Sequence, residues 1–191
     1  KNGTGMRFII CCFCMLGGSV CLQLVNYISM YAESIGYSLT ISALLMTFVM
    51  IGNIIGKLIL GIVCDLTGVW KSMTAGTICV CIGALGMIFA RKCLAALCLS
   101  ALLFGFTYAT ATLTVSKCSL SAYGKAKGER FSGIHTSVNS AIAAASSMGA
   151  GVLFDATGNF TKVFFLSSIV CIMSIVAIYI MEGRIVEDKA L

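Results

Sequence analysis

The sequence predicts an all-α membrane protein whose six transmembrane helices form a three-plus-three inverted repeat. Three observations carry this. Of 191 residues, 59% are hydrophobic and 10% charged, too little polar surface to cover a water-soluble globule. The charges gather in clusters separated by six apolar runs, each close to or above the roughly 20 residues that a helix needs to cross hydrocarbon. Finally, GIVCDLTG at Gly61–Gly68 returns as GVLFDATG at Gly151–Gly158, with Gly, Asp, Thr and Gly identical.

The runs cover residues 8–30, 39–64, 72–90, 93–116, 131–154 and 163–181. A transmembrane β-barrel would instead alternate apolar and polar residues over strands of about 10, and no segment does so. Backbone groups in lipid must be satisfied within the element, so continuous apolar runs of this length are expected to be helices. The first run follows Lys1 and Arg7 as a signal peptide would, but it is too long and lacks a clear small-residue cleavage site.

With the N-terminus in the cytoplasm, the inner segments hold Lys1, Arg7, Lys71, Lys117, Lys125, Lys127, Arg130, Arg184 and Lys189, against Arg91, Lys92 and Lys162 outside. The positive-inside rule therefore places both termini in the cytoplasm, in a multi-pass plasma or inner membrane protein. The net charge of +6 is explained by that topology, and no nucleic-acid partner is needed.

The two copies of the octapeptide end the second and fifth runs, so the repeat unit is three helices long and its odd number inverts it. Asp65 then marks the cytoplasmic edge and Asp155 the external one. Between the units, residues 117–130 (KCSLSAYGKAKGER) read as a basic cytoplasmic linker, serving as a topological anchor or as a site for anionic headgroups. Small residues at four-residue spacing, Gly52 with Gly56, Gly56 with Leu60 beside Gly61, and Ser140, Ala144, Ser147 and Gly151, predict close helix approach. The fifth helix, with AIAAASSMGAG over 141–151, is expected to face the interior of a bundle. Most of the 11 cysteines lie inside apolar runs and read as small packing residues. Neither a metal nor another cofactor is expected.

One cation stands inside a span. Lys57 lies eight residues before Asp65, roughly 12 Å at 1.5 Å per residue, close to the midplane of a core about 30 Å thick. Intramembrane charges are costly and usually functional. All seven acids, Glu33, Asp65, Glu129, Asp155, Glu182, Glu187 and Asp188, fall in loops or at helix ends. The ammonium therefore snorkels toward the cytoplasm, pairs with an anionic substrate, or meets an acid from a second six-helix unit. Asn53, one turn earlier on the same face, is suited to bind the same anion or to bond a neighbouring helix. Asn139 lies at a depth comparable to Lys57 and shares a face with His135, either a proton-coupling group or a packing hydrogen-bonder. On the first helix Gln23, Asn26 and Tyr27 form a polar cluster, of which Asn26 and Tyr27 are cavity-lining candidates; Tyr31 reads as an interfacial anchor. Tyr108 is a weaker candidate of the same kind.

Gly61-x-x-x-Asp65-x-x-Gly68-x-x-Lys71 resembles the signature between helices eight and nine of the major facilitator superfamily, and the chain resembles the C-terminal six-helix half of such a transporter along essentially its whole length. The family's basic residues after the Asp and after the second Gly are replaced by Leu66, Val69 and Trp70, leaving Lys71 as the one cation of the motif. The Gly52–Lys57 run and the GVLFDATGNF ending of helix five are most similar to the oxalate/formate antiporter and monocarboxylate transporter branch. That resemblance implies a substrate carboxylate at Lys57, where relatives carry arginine. The second cation of the oxalate exchangers falls on Asn139, which argues against a dicarboxylate clamp.

The expected function is secondary active transport of a small organic anion such as a monocarboxylate by alternating access, with the N-terminal six-helix half or a second copy as partner. The chain opens on Lys1 and not on Met, as expected for half of a longer transporter. The alternatives are efflux of amphipathic compounds, in which Lys57 would be dispensable, and a non-transporting six-helix scaffold. No metal-ligand spacing, nucleophile-base pair or intramembrane acid suggests an enzyme.

Overall fold

The computed structural model describes the backbone of residues 2–190 and the side chains of residues 5–112, 117–124 and 127–183. Every regular element within it is helical. The first span is α1 (Asn2–Leu24), a 3-10 turn (Val25–Tyr27) and α2 (Ile28–Ser34); the second is α3 (Leu39–Thr67) and the third α4 (Val69–Phe89). The fourth is split into α5 (Leu94–Phe104) and α6 (Phe106–Tyr123), and the fifth and sixth are α7 (Lys125–Thr157) and α8 (Phe160–Ala190). Six of these spans are long and apolar enough to cross a membrane.

The duplicated motif has a backbone counterpart. Gly68 and Gly158 both take positive φ, 95° and 61°, and close their helices by donating N–H to Cys64 O and Phe154 O. The other two positive-φ glycines, Gly36 and Gly124, precede the same two helices. Only glycine occupies such conformations without strain, so α3 and α7 finish alike, each on a positive-φ glycine. Lys117 near Asp65 marks one end of the bundle, and Tyr37 donating to Arg91 O at 2.9 Å marks the opposite one, where α7 finishes. The two copies therefore point opposite ways.

Where α3 crosses the fourth span, side chains are nearly absent. A Cβ on Gly52 would run into the carbonyl of Leu102, and one on Gly105 into the carbonyl of Val49. Gly56 rests against Phe106. This close approach follows from the predicted Gly52/Gly56 spacing, since in lipid contact must come from van der Waals packing. Gly17, whose Cβ would lie 2.8 Å from Ser174 Cβ, and Gly83, 2.6 Å from Phe104 N, make similar seams. Eight cysteines, Cys11, Cys14, Cys21, Cys64, Cys81, Cys98, Cys118 and Cys171, are buried as packing residues.

Several expectations are corrected. Residues 117–130 are not a loop: helix runs through them except at Gly124, because nothing in KCSLSAYGKAKGER but glycine opposes helical φ and ψ. Gly61 makes no close approach, for a Cβ there would meet nothing within 4 Å. The buried face of α3 is Gly52, Gly56, Leu60 and Cys64, and Gly61 sits off that stripe. The fifth helix does not face the interior of this bundle. Only 6% of its apolar window is buried, and Gly149 and Gly151 have open space before them. Tyr31 is no interfacial anchor: it is fully buried, packs on Phe164 at 5.0 Å between ring centroids, and donates its hydroxyl proton to Met87 O.

Candidate functional site

The polarity of α3 is set by its stripe of buried residues, Ser42, Leu45, Val49, Gly52, Gly56, Leu60 and Cys64. Lys57 follows Gly56 by one position and is therefore turned off the packed stripe, exposed, with Ile54 and Leu58 around it. Among the described residues it makes no hydrogen bond or ion pair. Of the described acids, Glu33, Asp65, Glu129 and Asp155 are exposed and Glu182 is half-buried, while Glu187 and Asp188 lie outside the described side chains. Asn53, one turn before Lys57, is half-buried, and its Oδ1 is buried without a hydrogen-bond partner. A buried amide oxygen left unpaired is costly. Asn53 and Lys57 thus place a side-chain amide and a charged donor on one helix, and among the described residues nothing engages Lys57 or the Asn53 Oδ1.

The other expected site residues gather elsewhere. Asn139 lies on α7 against Ser19 of α1, whose Oγ bonds its side-chain amide. Ser19 Oγ also lies 2.7 Å from Met15 O. A hydroxyl has one proton, so both contacts are satisfied when Ser19 donates to Met15 O and accepts from an Asn139 N–H; the O and N of an amide are interchangeable by rotation. Tyr27 continues the seam by donating to Ser147 O at 3.1 Å, and Gln23 Oε1 lies 3.5 Å from Ser147 Oγ. Asn26, on the 3-10 turn, is exposed. Tyr108, on α6, is half-buried. The structure therefore brings Asn139 and Tyr27 onto one α1–α7 seam and puts Asn53 and Lys57 on α3, which packs on α2, α4, α5 and α6.

His135 belongs to a third place. It is fully buried, with Nδ1 2.6 Å from Ser119 Oγ and its ring stacked on Phe8 at 4.8 Å. Tyr123 and Phe131, themselves stacked at 4.4 Å, close the pocket. Its Nε2 has no partner.

The signature turn is built around Asp65, whose carboxylate lies 3.9 Å from Lys117 Nζ at the end of the fourth span. Lys117 Nζ also lies 3.4 Å from Cys64 Sγ. The cation beside Asp65 comes from outside the motif: Lys117 reaches it from 52 positions away in sequence, while Lys71, within the motif, is exposed. Ser19 and Lys117 were missed by sequence reasoning. Ser19, Gln23 and Tyr27 do carry a signal, the four-residue spacing of one polar helix face.

A family model described as Major Facilitator Superfamily matches residues 8–189. The chain belongs to the major facilitator superfamily. Its six apolar helices and this family make it a multi-pass protein of the cell membrane. Among solved structures, one described as the crystal structure of an auto-inhibited POT family peptide transporter superposes with a TM-score of 0.76 at 12% identity, covering 94% of this chain and 37% of that one. At that identity the likeness is one of fold. The chain thus spans less than half the length of this superfamily relative. No curated protein matches the sequence.

Proposed function

We propose that this major facilitator chain is half of a secondary transporter, and not an enzyme, and that Lys57, with an N–H of the Asn53 side-chain amide donating beside it, binds the anionic group of a small organic solute such as a monocarboxylate. The observation that carries the reading is Lys57: a cation about 12 Å along its helix from Asp65, exposed, with no partner among the described residues. An ammonium in hydrocarbon without a counter-ion is unfavourable by several kcal/mol, and a carboxylate arriving from solution supplies the missing charge. Ammonium acts as a compact point charge and lacks the fork of arginine, which suits a single carboxylate of loose geometry. The exposed Ser137, Ser140, Ala141 and Ala144 of α7 support a second six-helix unit, the N-terminal half or another copy, as the partner across the translocation path. The charge distribution supports cytoplasmic termini.

The test is uptake of a panel of radiolabelled mono- and dicarboxylates by proteoliposomes of the complete transporter. Lys57→Ala should abolish uptake and Lys57→Arg should retain it with altered selectivity. Full activity of Lys57→Ala would end this reading in favour of amphipathic efflux, and absence of uptake by the parent protein across all solutes would favour a scaffold.

A further inference from the structure

Between α1, α7 and α8 lies a groove that Lys57 does not touch. It is floored by Leu16 and Val20 of α1 and walled by α7 and α8, with a volume of about 820 Å³. Its polar members are Ser146 and Ser167, and each hydroxyl is spent on its own helix, at Ile142 O and Phe164 O. The groove therefore offers hydrocarbon and nothing for a polar solute to bond. Along α7 it runs from Ile142 to Ala156, about 21 Å at 1.5 Å per residue, somewhat more than the roughly 15 Å of one leaflet.

At the end where α7 finishes, it joins a second hollow of about 440 Å³ lined by Thr161, Lys162 and Phe165, the two sharing Leu153 and Leu166. Lys162 is exposed and pairs with no acid among the described residues; Asp155, at the end of α7, is exposed and not bonded to it. Arg91 reaches the same mouth by donating to Thr161 Oγ1, and its Nε is buried without a partner. A dry apolar lane thus opens beneath two cations, one carrying an unmatched N–H.

From this juxtaposition we propose that the α1/α7/α8 groove is a binding site for an anionic lipid of the surrounding bilayer, with one acyl chain along α7 and the phosphate or carboxylate at Lys162 and Arg91. Charge selects the occupant. A neutral lipid or a partner helix would fill the lane and bring no anion to Lys162 and Arg91. The site is separate from the Lys57 anion site, since none of its residues lies on α3.

The test uses the complete protein in nanodiscs of phosphatidylcholine doped with phosphatidylglycerol bearing a diazirine on one acyl chain, with photolabelled residues mapped by mass spectrometry. Label should concentrate on groove residues such as Met148, Leu153 and Leu166, and unlabelled phosphatidylglycerol should compete where phosphatidylcholine does not. Lys162→Gln, a change at an exposed position, should weaken the competition about fivefold, the worth of one lysine beside an anionic lipid. Gly149→Leu, where a Cβ meets nothing within 4 Å, should fill the lane and remove the label while Lys162 stays in place. Equal competition by phosphatidylcholine would overturn the proposal. So would label spread evenly over exposed apolar positions such as Ile62 and Ile172, or protection of the groove from label by a neighbouring helix.

Discussion

Lys117 Nζ lies 3.9 Å from the Asp65 carboxylate, joining the end of the second span to the end of the fourth. The side chains are 39% and 81% exposed, so solvent screening limits the pair to about 1 kcal/mol or less. Asp65→Asn and Lys117→Gln should each lower thermal stability only slightly, and the double variant no further than either single one. The coupling, read from melting temperatures of detergent-solubilised protein, should fade at high salt. A coupling insensitive to salt would show that the pair is not the exposed bridge seen here.

The crossing of α3 with the fourth span leaves no room for a methyl group. Gly52→Ala would drive a Cβ into the backbone carbonyl of Leu102, and overpacking of this kind typically costs about 1–3 kcal/mol. Gly61→Ala, facing open space, should be neutral or slightly stabilising because alanine is the better helix former. Monodispersity after a temperature ramp, followed by fluorescence-detected size exclusion, checks both. Equal behaviour of the two variants would mean that the helices do not approach at Gly52.

Asn139 is held by Ser19 across the α1–α7 seam. Interhelical hydrogen bonds in membrane proteins average about 0.6 kcal/mol, so Ser19→Ala should cost little stability. Its larger effect should be on uptake, since it frees Asn139 and removes one of the ties between the first and fifth helices. Asn139→Ala should resemble Ser19→Ala, and the double variant should be no worse than the single ones. Additive losses would separate the two residues.

For His135 the buried pocket of Phe8, Tyr123 and Phe131 argues for packing in place of proton coupling. His135→Ala should destabilise by about 2–4 kcal/mol through the cavity it opens and the lost bond to Ser119. His135→Phe keeps the stack and should recover much of that stability. The pH profile of uptake should be the same in His135→Phe as in the parent protein. A flattened profile would restore His135 as a proton carrier.

Hydrophobic run length and the repeated Gly-Asp-Thr-Gly turn were enough to specify six spans and a duplicated ending, because both are local: an apolar stretch in lipid must satisfy its own backbone, and Gly68 and Gly158 act through their own φ angles. Residues 117–130 read as a linker by their polarity, yet helix continues on either side of Gly124, because polar residues other than glycine do not oppose helical φ and ψ. In the candidate site, the isolation of Lys57 from the described acids was legible, since all seven carboxylates fall outside the apolar runs of the sequence.

What the sequence could not contain was which side of each helix meets which neighbour. Small residues on α7 suggested a packed face, yet the same composition fits a face left open. Tyr31 could as well have been an anchor as a core residue until Met87 O stood before its hydroxyl. The partners of Asp65, Asn139 and His135, namely Lys117, Ser19 and Ser119, come from other helices. In hydrocarbon, apolarity marks lipid-facing and buried surfaces alike, so that helix rotation is decided by close packing and by a few polar bonds. Run length and local turns determined the spans, and only tertiary contact decided the faces.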